Sequence, residues 1–397
     1  MKINTDVEKI SELLTRGVEN IYPNRDFLEA ALKSGKQLTL YLGIDPTGPS
    51  LHLGHAIGLN RLRLFQELGH KVIMLIGNFT AMIGDPTDKQ ATRKPLTQEQ
   101  VLENCKNYKE QAAAILNFEG ENPVELKFNN DWLGKLNFAE IIEIASNLTV
   151  QQLLERDMFE KRMNEGKPIG LHEFLYPLMQ GYDSVAMDVD GEVGGNDQTF
   201  NMLTGRTLLK ALKNKEKFVL TNRLLSDPTG IKMGKTTGNM ITLDDAPQDK
   251  FGKVMAWTDG MIVSGFELCT RVPMSRIVEV KDELEKGKNP RDLKVELAKE
   301  IVKLYHGEDE ANKAEENFVN MFQKKETPDE MPEFDFTGKN IVDVLVESEL
   351  VKSKSEARRA VEQNGVKINE EVVSDMNVVV KAGDVVQKGK RFFIKIR

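Results

Sequence analysis

Apolar and polar positions follow two rhythms along this chain, and the changes of rhythm mark its elements. Ile10, Leu13, Leu14 and Val18 recur at helical spacing, which predicts helix through 1–34. Residues 37–44 form a short apolar run that ends in the turn residues Asp45-Pro46-Thr47-Gly48-Pro49-Ser50. A helix is expected from about residue 52 to 68. A second buried strand follows over 71–77, then a loop around Gly84-Asp85-Pro86-Thr87. Strand, loop and helix in alternation predict a parallel α/β sheet. Residues 96–165 read as mostly helical with one strand over 124–128. Beyond them, 183–190 reads as a strand, 199–213 as a helix and Phe218-Val219-Leu220 as the last strand signal. Residues 245–325 are charged, rich in Leu and Lys, and helical.

A chain of 397 residues is long for one domain, so two or three are expected. The clearest linker is the polar stretch from Gln323 to Met331-Pro332, which carries two prolines. The segment beyond it differs in charge. From Lys339 onward there are twelve Lys and Arg against nine Asp and Glu, so this piece is +3 and the remainder, of a total of −8, is −11. A basic tail on an acidic body hints at a localised nucleic-acid contact. The start of the chain has no apolar leader core, and no run approaches the ~20 apolar residues of a membrane helix. A cytoplasmic protein without membrane contact is therefore expected. Cys105 and Cys269 give neither metal spacing nor a disulfide framework, and both read as buried thiols.

Two motifs stand out chemically. His52-Leu53-Gly54-His55 opens the helix after the first apolar strand. A helix start at such a junction offers unpaired N–H groups and positive dipole character suited to phosphate, and imidazoles there can stabilise charge on phosphorus. Without that position, two histidines near a turn would be unremarkable. Lys232-Met233-Gly234-Lys235-Thr236 follows a flexible Asp-Pro-Thr-Gly turn. Two lysines on a loop can close over a triphosphate, although a Lys-rich loop alone is usually just solvated. The Gly-rich stretch that would make it a Walker loop is absent.

Taken together these segments resemble class I (Rossmann-type) aminoacyl-tRNA synthetases, with their His-Ile-Gly-His and Lys-Met-Ser-Lys-Ser signatures. With Gly84-Asp85-Pro86, Gln180-Gly181-Tyr182-Asp183 and Gly194-Gly195-Asn196-Asp197-Gln198 between them, the order and spacing resemble bacterial tyrosyl-tRNA synthetases over essentially the whole chain. The resemblance implies a Rossmann-like catalytic domain over 1–225 with a helical insertion near 115–160, and the lysine loop with a helical anticodon-binding domain over 226–322. A linker over 323–336 and a small α+β RNA-binding domain over 337–397 would complete the chain. It implies that Tyr41 and Asp183 take the phenol hydroxyl of tyrosine. Asp85, Tyr176 and Gln180 would hold its ammonium, with Thr80 and Asn129 nearby, and Gln198 would lie near its carboxylate. Gly43, Asp45, Gly54, Gly195, Asp197 and Met233 would face ATP or the adenylate. Thr47, His52, Lys232 and Lys235 would stabilise the transferring phosphates, His55 would contact the nucleotide, and Lys89 and Arg93 would assist pyrophosphate departure.

ATP with Mg²⁺ is implied as substrate, with no tightly bound protein metal. Tyrosine and tRNA(Tyr) are the implied partners, and a homodimer the implied assembly. The alternatives are a tryptophanyl enzyme on the same scaffold and an inactive RNA-binding relative. Activation by a carboxylate attacking the α-phosphorus requires positioning and charge stabilisation rather than a protein nucleophile. His70, His172 and His306 read as structural.

The tail carries Ser353-Lys354-Ser355-Glu356-Ala357-Arg358-Arg359, a basic helix ended by Asn364-Gly365 and followed by a strand. It resembles an S-four-type RNA-binding module, in which Lys352, Lys354, Arg358 and Arg359 would meet phosphates.

Overall fold

The computed structural model describes residues 2–87, 96–227, 229–230, 240–320, 331–389 and 392–397. They fall into two compact units, Met1–Ala311 and Asn312–Arg397. This division lies ahead of the linker expected at 323–336.

The first unit is built on a six-stranded sheet. Its strands are β1 (Val18–Tyr22), β2 (Thr39–Ile44), β3 (Lys71–Ile76), β4 (Glu125–Phe128), β5 (Gly191–Gly195) and β6 (Phe218–Asn222). The spatial order is β1-β6-β5-β2-β3-β4. All neighbours run parallel except β1, which lies antiparallel on β6 at the edge. The middle strands are buried along nearly their whole length, as parallel strands covered on both faces must be. From β2 the chain moves one way to β3 and β4, then returns to the other side for β5 and β6. The loops leaving the carboxyl ends of β2 and β5 therefore diverge and open a crevice.

Two parts of the sequence reading need correction. The first 34 residues are not continuous helix. Helices Val7–Thr15 and Arg25–Lys33 flank β1, so Val18 belongs to a strand. Gly17, at φ +61°, ends the first helix, and Asn24 caps the second by accepting from Phe27 N at 2.9 Å. Residues 183–190 are likewise not a strand. The helix Leu171–Met187 runs through them, Asp188 closes it in the left-handed conformation, and the strand begins only at Gly191. Its apolar run matched both periods, but the helix buries Leu178 and Val185 against Leu208 and Leu209 of the helix Thr199–Lys213. The correction matters for function. Tyr176, Gln180 and Asp183 are spaced by four and three, so only a helix puts them on one face.

The expected helical region holds Pro247–Met255, Ile262–Cys269, Met274–Glu285 and Pro290–His306, with Phe251, Phe266, Leu293 and Leu297 buried between them. Among the described residues no helix is long and apolar enough to cross a membrane.

The second unit contains a five-stranded sheet of β7 (Glu333–Phe334), β8 (Val366–Ile368), β9 (Glu371–Val372), β10 (Val385–Lys388) and β11 (Phe392–Ile396), in the order β7-β11-β10-β8-β9. Helices Ile341–Glu347 and Lys354–Glu362 share its core through Leu345, Ala357, Val361 and Val386. Ser353 caps the second helix, and Asn364, at φ +55°, turns the chain toward β8.

Candidate active site

The crevice at the carboxyl ends of the strands is a cavity of about 580 Å³. Every catalytic, tyrosine-binding or ATP-binding residue expected from the sequence lines it, provided it lies among the described residues. Lys89, Arg93, Lys232, Met233 and Lys235 lie outside them. Their flanks do reach the site. Asp85 and Thr87, which precede Lys89 and Arg93, line it, and so does Leu225, which precedes the lysine motif. Beyond that motif, Leu53 N donates to Ile241 O at 3.0 Å and Leu243 N to Leu51 O at 2.8 Å, so residues 241–243 pair with the His52 segment.

At one end the chemistry is imidazole. His52 caps the helix Leu53–Glu67, its Nδ1 accepting from Gly54 N at 3.1 Å. His55 Nδ1 accepts from His52 N at 3.2 Å, and the two rings lie 3.9 Å apart. With both Nδ1 atoms acting as acceptors, the proton of each neutral ring sits on Nε2, a donor. Burial lowers the pKa of His52 to about 4. It lowers that of His55 to about 3, with the neighbouring His52 adding to the effect. Both rings are therefore neutral donors at neutral pH.

At the other end the groups are acidic and deeply buried. Asp183, on the helix Leu171–Met187, is 2% exposed. It accepts from Trp132 Nε1 at 2.7 Å and from Asn129 Nδ2 at 3.3 Å. Burial pushes its carboxyl well above the usual range, and these two donors act against that shift. Tyr41, on β2, is fully buried, and its hydroxyl lies 2.9 Å from Ser184 Oγ. Burial, then the Glu192 and Asp183 carboxylates, raise its pKa well above the ordinary phenol value.

Between the ends, Asp45 accepts from Thr80 Oγ1 and from Tyr176 Oη, both at 2.7 Å. It thereby ties β2 to two helices. A Cβ at Gly77 would lie 2.0 Å from Asp45 Oδ1, so only glycine admits this approach. Asp85 accepts from Thr87 N at 2.9 Å, Thr87 Oγ1 at 2.7 Å and Gln198 Nε2 at 2.7 Å. Gln198 Oε1 in turn accepts from Asn201 Nδ2 at 3.0 Å, so both ends of its amide are engaged. Gly43 on β2, Gly195 on β5, and Thr47, Gly54 and Asp197 on the segments that follow these strands complete the wall. His70, His172 and His306 do not line it.

Sequence reasoning missed several participants. Glu192 lines the cavity, pairs with buried Lys217 and accepts from Gln180 Nε2 at 3.1 Å. Trp132 and Ser184 hold Asp183 and Tyr41. Arg156 donates to Thr87 Oγ1 at 2.9 Å, and Arg223, at the end of β6, lines the cavity and pairs with Glu267. None of these belongs to a motif. Glu192 had one usable signal, a charge inside a run destined for a buried strand.

Lys352, Lys354, Arg358 and Arg359 are exposed at and on the helix Lys354–Glu362 of the second unit. Lys354 makes a 2.7 Å ion pair with Asp343.

Comparison with known proteins agrees with this geometry. Residues 33–323 match the family model of class I tRNA synthetases (W and Y), and residues 323–396 match the model of the tyrosine--tRNA ligase SYY-like C-terminal domain. The chain belongs to the class I tRNA synthetases. A tyrosine--tRNA ligase of Haemophilus influenzae is 47% identical over 99% of this chain and 98% of its own length. One of Carboxydothermus hydrogenoformans is 46% identical over 98% of each. A solved structure of a C-terminally truncated mitochondrial tyrosyl-tRNA synthetase of Coccidioides posadasii is 28% identical. It covers 78% of this chain and 91% of its own, with a TM-score of 0.64. These relatives place the chain in the tyrosine--tRNA ligase family, which joins an amino acid to tRNA at the expense of ATP.

Proposed function

We propose that the cavity activates tyrosine with ATP to tyrosyl-adenylate and pyrophosphate, and that the enzyme then passes tyrosine to the 3′ end of tRNA(Tyr). The observation that carries this reading is the closed end of the cavity. A buried carboxylate and a buried phenol, Asp183 and Tyr41, meet there, and each is supported by internal hydrogen bonds. That end suits a substrate hydroxyl.

In this reading Asp85, Tyr176 and Gln180 receive the ammonium, with Thr80 and Asn129 fixing their neighbours. Gln198 acts through Asp85, to which its amide is bonded. Gly43, Gly54, Gly195 and Asp197 face the nucleotide. Asp45 stands between the two substrates. His52 and His55 present Nε2–H groups to the phosphates without carrying charge, and Thr47 adds a hydroxyl. The loop lysines Lys232 and Lys235, with Met233 between them, and the basic pair Lys89 and Arg93 act on the pyrophosphate. Mg²⁺ comes bound to ATP. No group need act as nucleophile, because the substrate carboxylate attacks the α-phosphorus and the site contributes position and charge stabilisation.

The same reading divides the chain into a catalytic part over 1–225, a helical anticodon-binding part over 226–322 and an RNA-binding tail over 337–397. It takes the protein as a cytoplasmic homodimer, with the insertion near 115–160 at the interface.

The test is amino-acid-dependent ATP–pyrophosphate exchange with tyrosine, phenylalanine and tryptophan. Exchange is expected with tyrosine and almost none with the others. Equal rates with tryptophan would overturn the assignment of the closed end.

A further inference from the structure

Beneath the phenol end lies a buried polar cluster that the roles above leave unused. Lys217, Glu192 and Ser184 are each 1% exposed or less. Lys217 Nζ pairs with Glu192 Oε2 and donates to Ser184 Oγ at 2.7 Å. Ser184 Oγ is 2.9 Å from Tyr41 Oη, and Glu192 Oε1 accepts from Gln180 Nε2 at 3.1 Å. Tyr41 and Glu192 are register partners on β2 and β5. Gly205 opens the space, since a Cβ there would lie 2.7 Å from Lys217 Nζ and 2.8 Å from Ser184 Oγ. A buried ion pair is by itself weak evidence of stabilisation, because removing two charges from water offsets most of their attraction.

We propose that the Lys217–Glu192 pair is a positioning element for amino-acid specificity, fixing through Ser184 the direction of the hydrogen bond that Tyr41 offers to the substrate. The inference rests on the reading of Tyr41 and Asp183 as the phenol ligands.

Donor and acceptor counts permit the direction that the substrate requires. An ammonium only donates, so Ser184 Oγ must accept from Lys217. Its single proton is then free for Tyr41 Oη. Tyr41, accepting there, has its own proton left to give, and the substrate hydroxyl competes for it with the Glu192 carboxylate and with Gln180 O, 3.5 Å away. A phenol that donates to Asp183 and accepts from Tyr41 satisfies both groups, whereas phenylalanine satisfies neither. Glu192 acts at the other side in the same way. A carboxylate only accepts, so it draws the Gln180 Nε2 and leaves Gln180 Oε1 toward the ammonium.

The experiment measures kcat/KM of pyrophosphate exchange for tyrosine and for phenylalanine. The proteins are the full-length wild type, Ser184→Ala, Tyr41→Phe, their combination, and Lys217→Met with Glu192→Gln. The last variant removes both charges together, and thermal unfolding checks its fold. Ser184→Ala is expected to lower the tyrosine-to-phenylalanine ratio roughly ten-fold, the scale of one buried hydrogen bond, with phenylalanine unchanged. It should add nothing in the Tyr41→Phe background, and the charge-free pair should show the same loss.

An unchanged ratio in Ser184→Ala, beside a lowered one in Tyr41→Phe, overturns the relay alone. So does an equal effect of Ser184→Ala with and without Tyr41 Oη, which would mark a merely structural role. A loss in Ser184→Ala that the charge-free pair does not share removes Lys217 and Glu192 from the account. An unchanged ratio in Tyr41→Phe overturns the phenol reading, and the relay with it.

Discussion

The two ends of the cavity are built on opposite principles. At the phenol end Asp183, Tyr41 and Glu192 are buried and each is bonded within the protein: Asp183 to Trp132 and Asn129, Tyr41 to Ser184, Glu192 to Lys217 and Gln180. At the histidine end the two rings lie against each other and accept from Gly54 N and His52 N, and among the described residues their Nε2 donors have no hydrogen-bond acceptor. A committed network penalises a ligand that leaves one member unpaired. A pair of fixed donors does little for the ground state and much for charge that develops later. On the function proposed above, the difference separates selection from acceleration within one crevice, and it can be probed one end at a time.

The largest effect is expected at the closed end. Replacing Asp183 by Ala should erase most of the discrimination between tyrosine and phenylalanine. In the wild type that discrimination is expected at ~10⁴–10⁵, the scale known for tyrosyl enzymes. Exchange kinetics with both amino acids check it.

At the other end, His52→Ala should lower the activation rate constant by ~10²–10³, the usual cost of removing one oriented donor to developing charge. Tyrosine affinity, measured by equilibrium titration, should be nearly unchanged. A smaller effect is expected from replacing Lys352, Lys354, Arg358 and Arg359 together by Gln. Exchange should be normal, tRNA charging weaker, and the dependence of tRNA binding on salt shallower.

The smallest effect concerns pH. Folding holds His52 near a pKa of about 4 and His55 near about 3, against an unfolded value of 6.5. The folded state thus resists protonation that the unfolded chain accepts. The stability contributed by neutral histidines is complete above pH 6.5. It is lost as pH falls toward those folded values. A His55→Gln variant should therefore lose less stability than wild type between pH 6.5 and 4 in denaturant titrations. Over pH 6.5–8 neither histidine should impose a step on the exchange rate.

The comparison also shows what a sequence displays. The histidine end was legible because its two rings stand beside a glycine at a strand-to-helix junction. The proposed ligands Tyr41, Asp183 and Gln180 were legible only through whole-chain resemblance, and the reading of 183–190 as a strand would have scattered them. Ser184, Glu192 and Lys217 went unread because their meaning is created by register. β2 and β5 bring Glu192 beside Tyr41, and a glycine on a third element makes room for an ammonium. β1 was lost because its edge position leaves only a short apolar pattern between two helices, although Gly17 and Pro23 mark its limits.

The central claim is that one end selects while the other accelerates. It is tested most directly by single-turnover formation of tyrosyl-adenylate as a function of tyrosine concentration, in Asp183→Asn and His52→Ala side by side. The account expects the first to raise the tyrosine concentration for half-saturation and to narrow the gap to phenylalanine. The second should leave half-saturation in place and lower only the rate at saturation. Weakened tyrosine binding in His52→Ala, or an unaltered preference for tyrosine in Asp183→Asn, would contradict it.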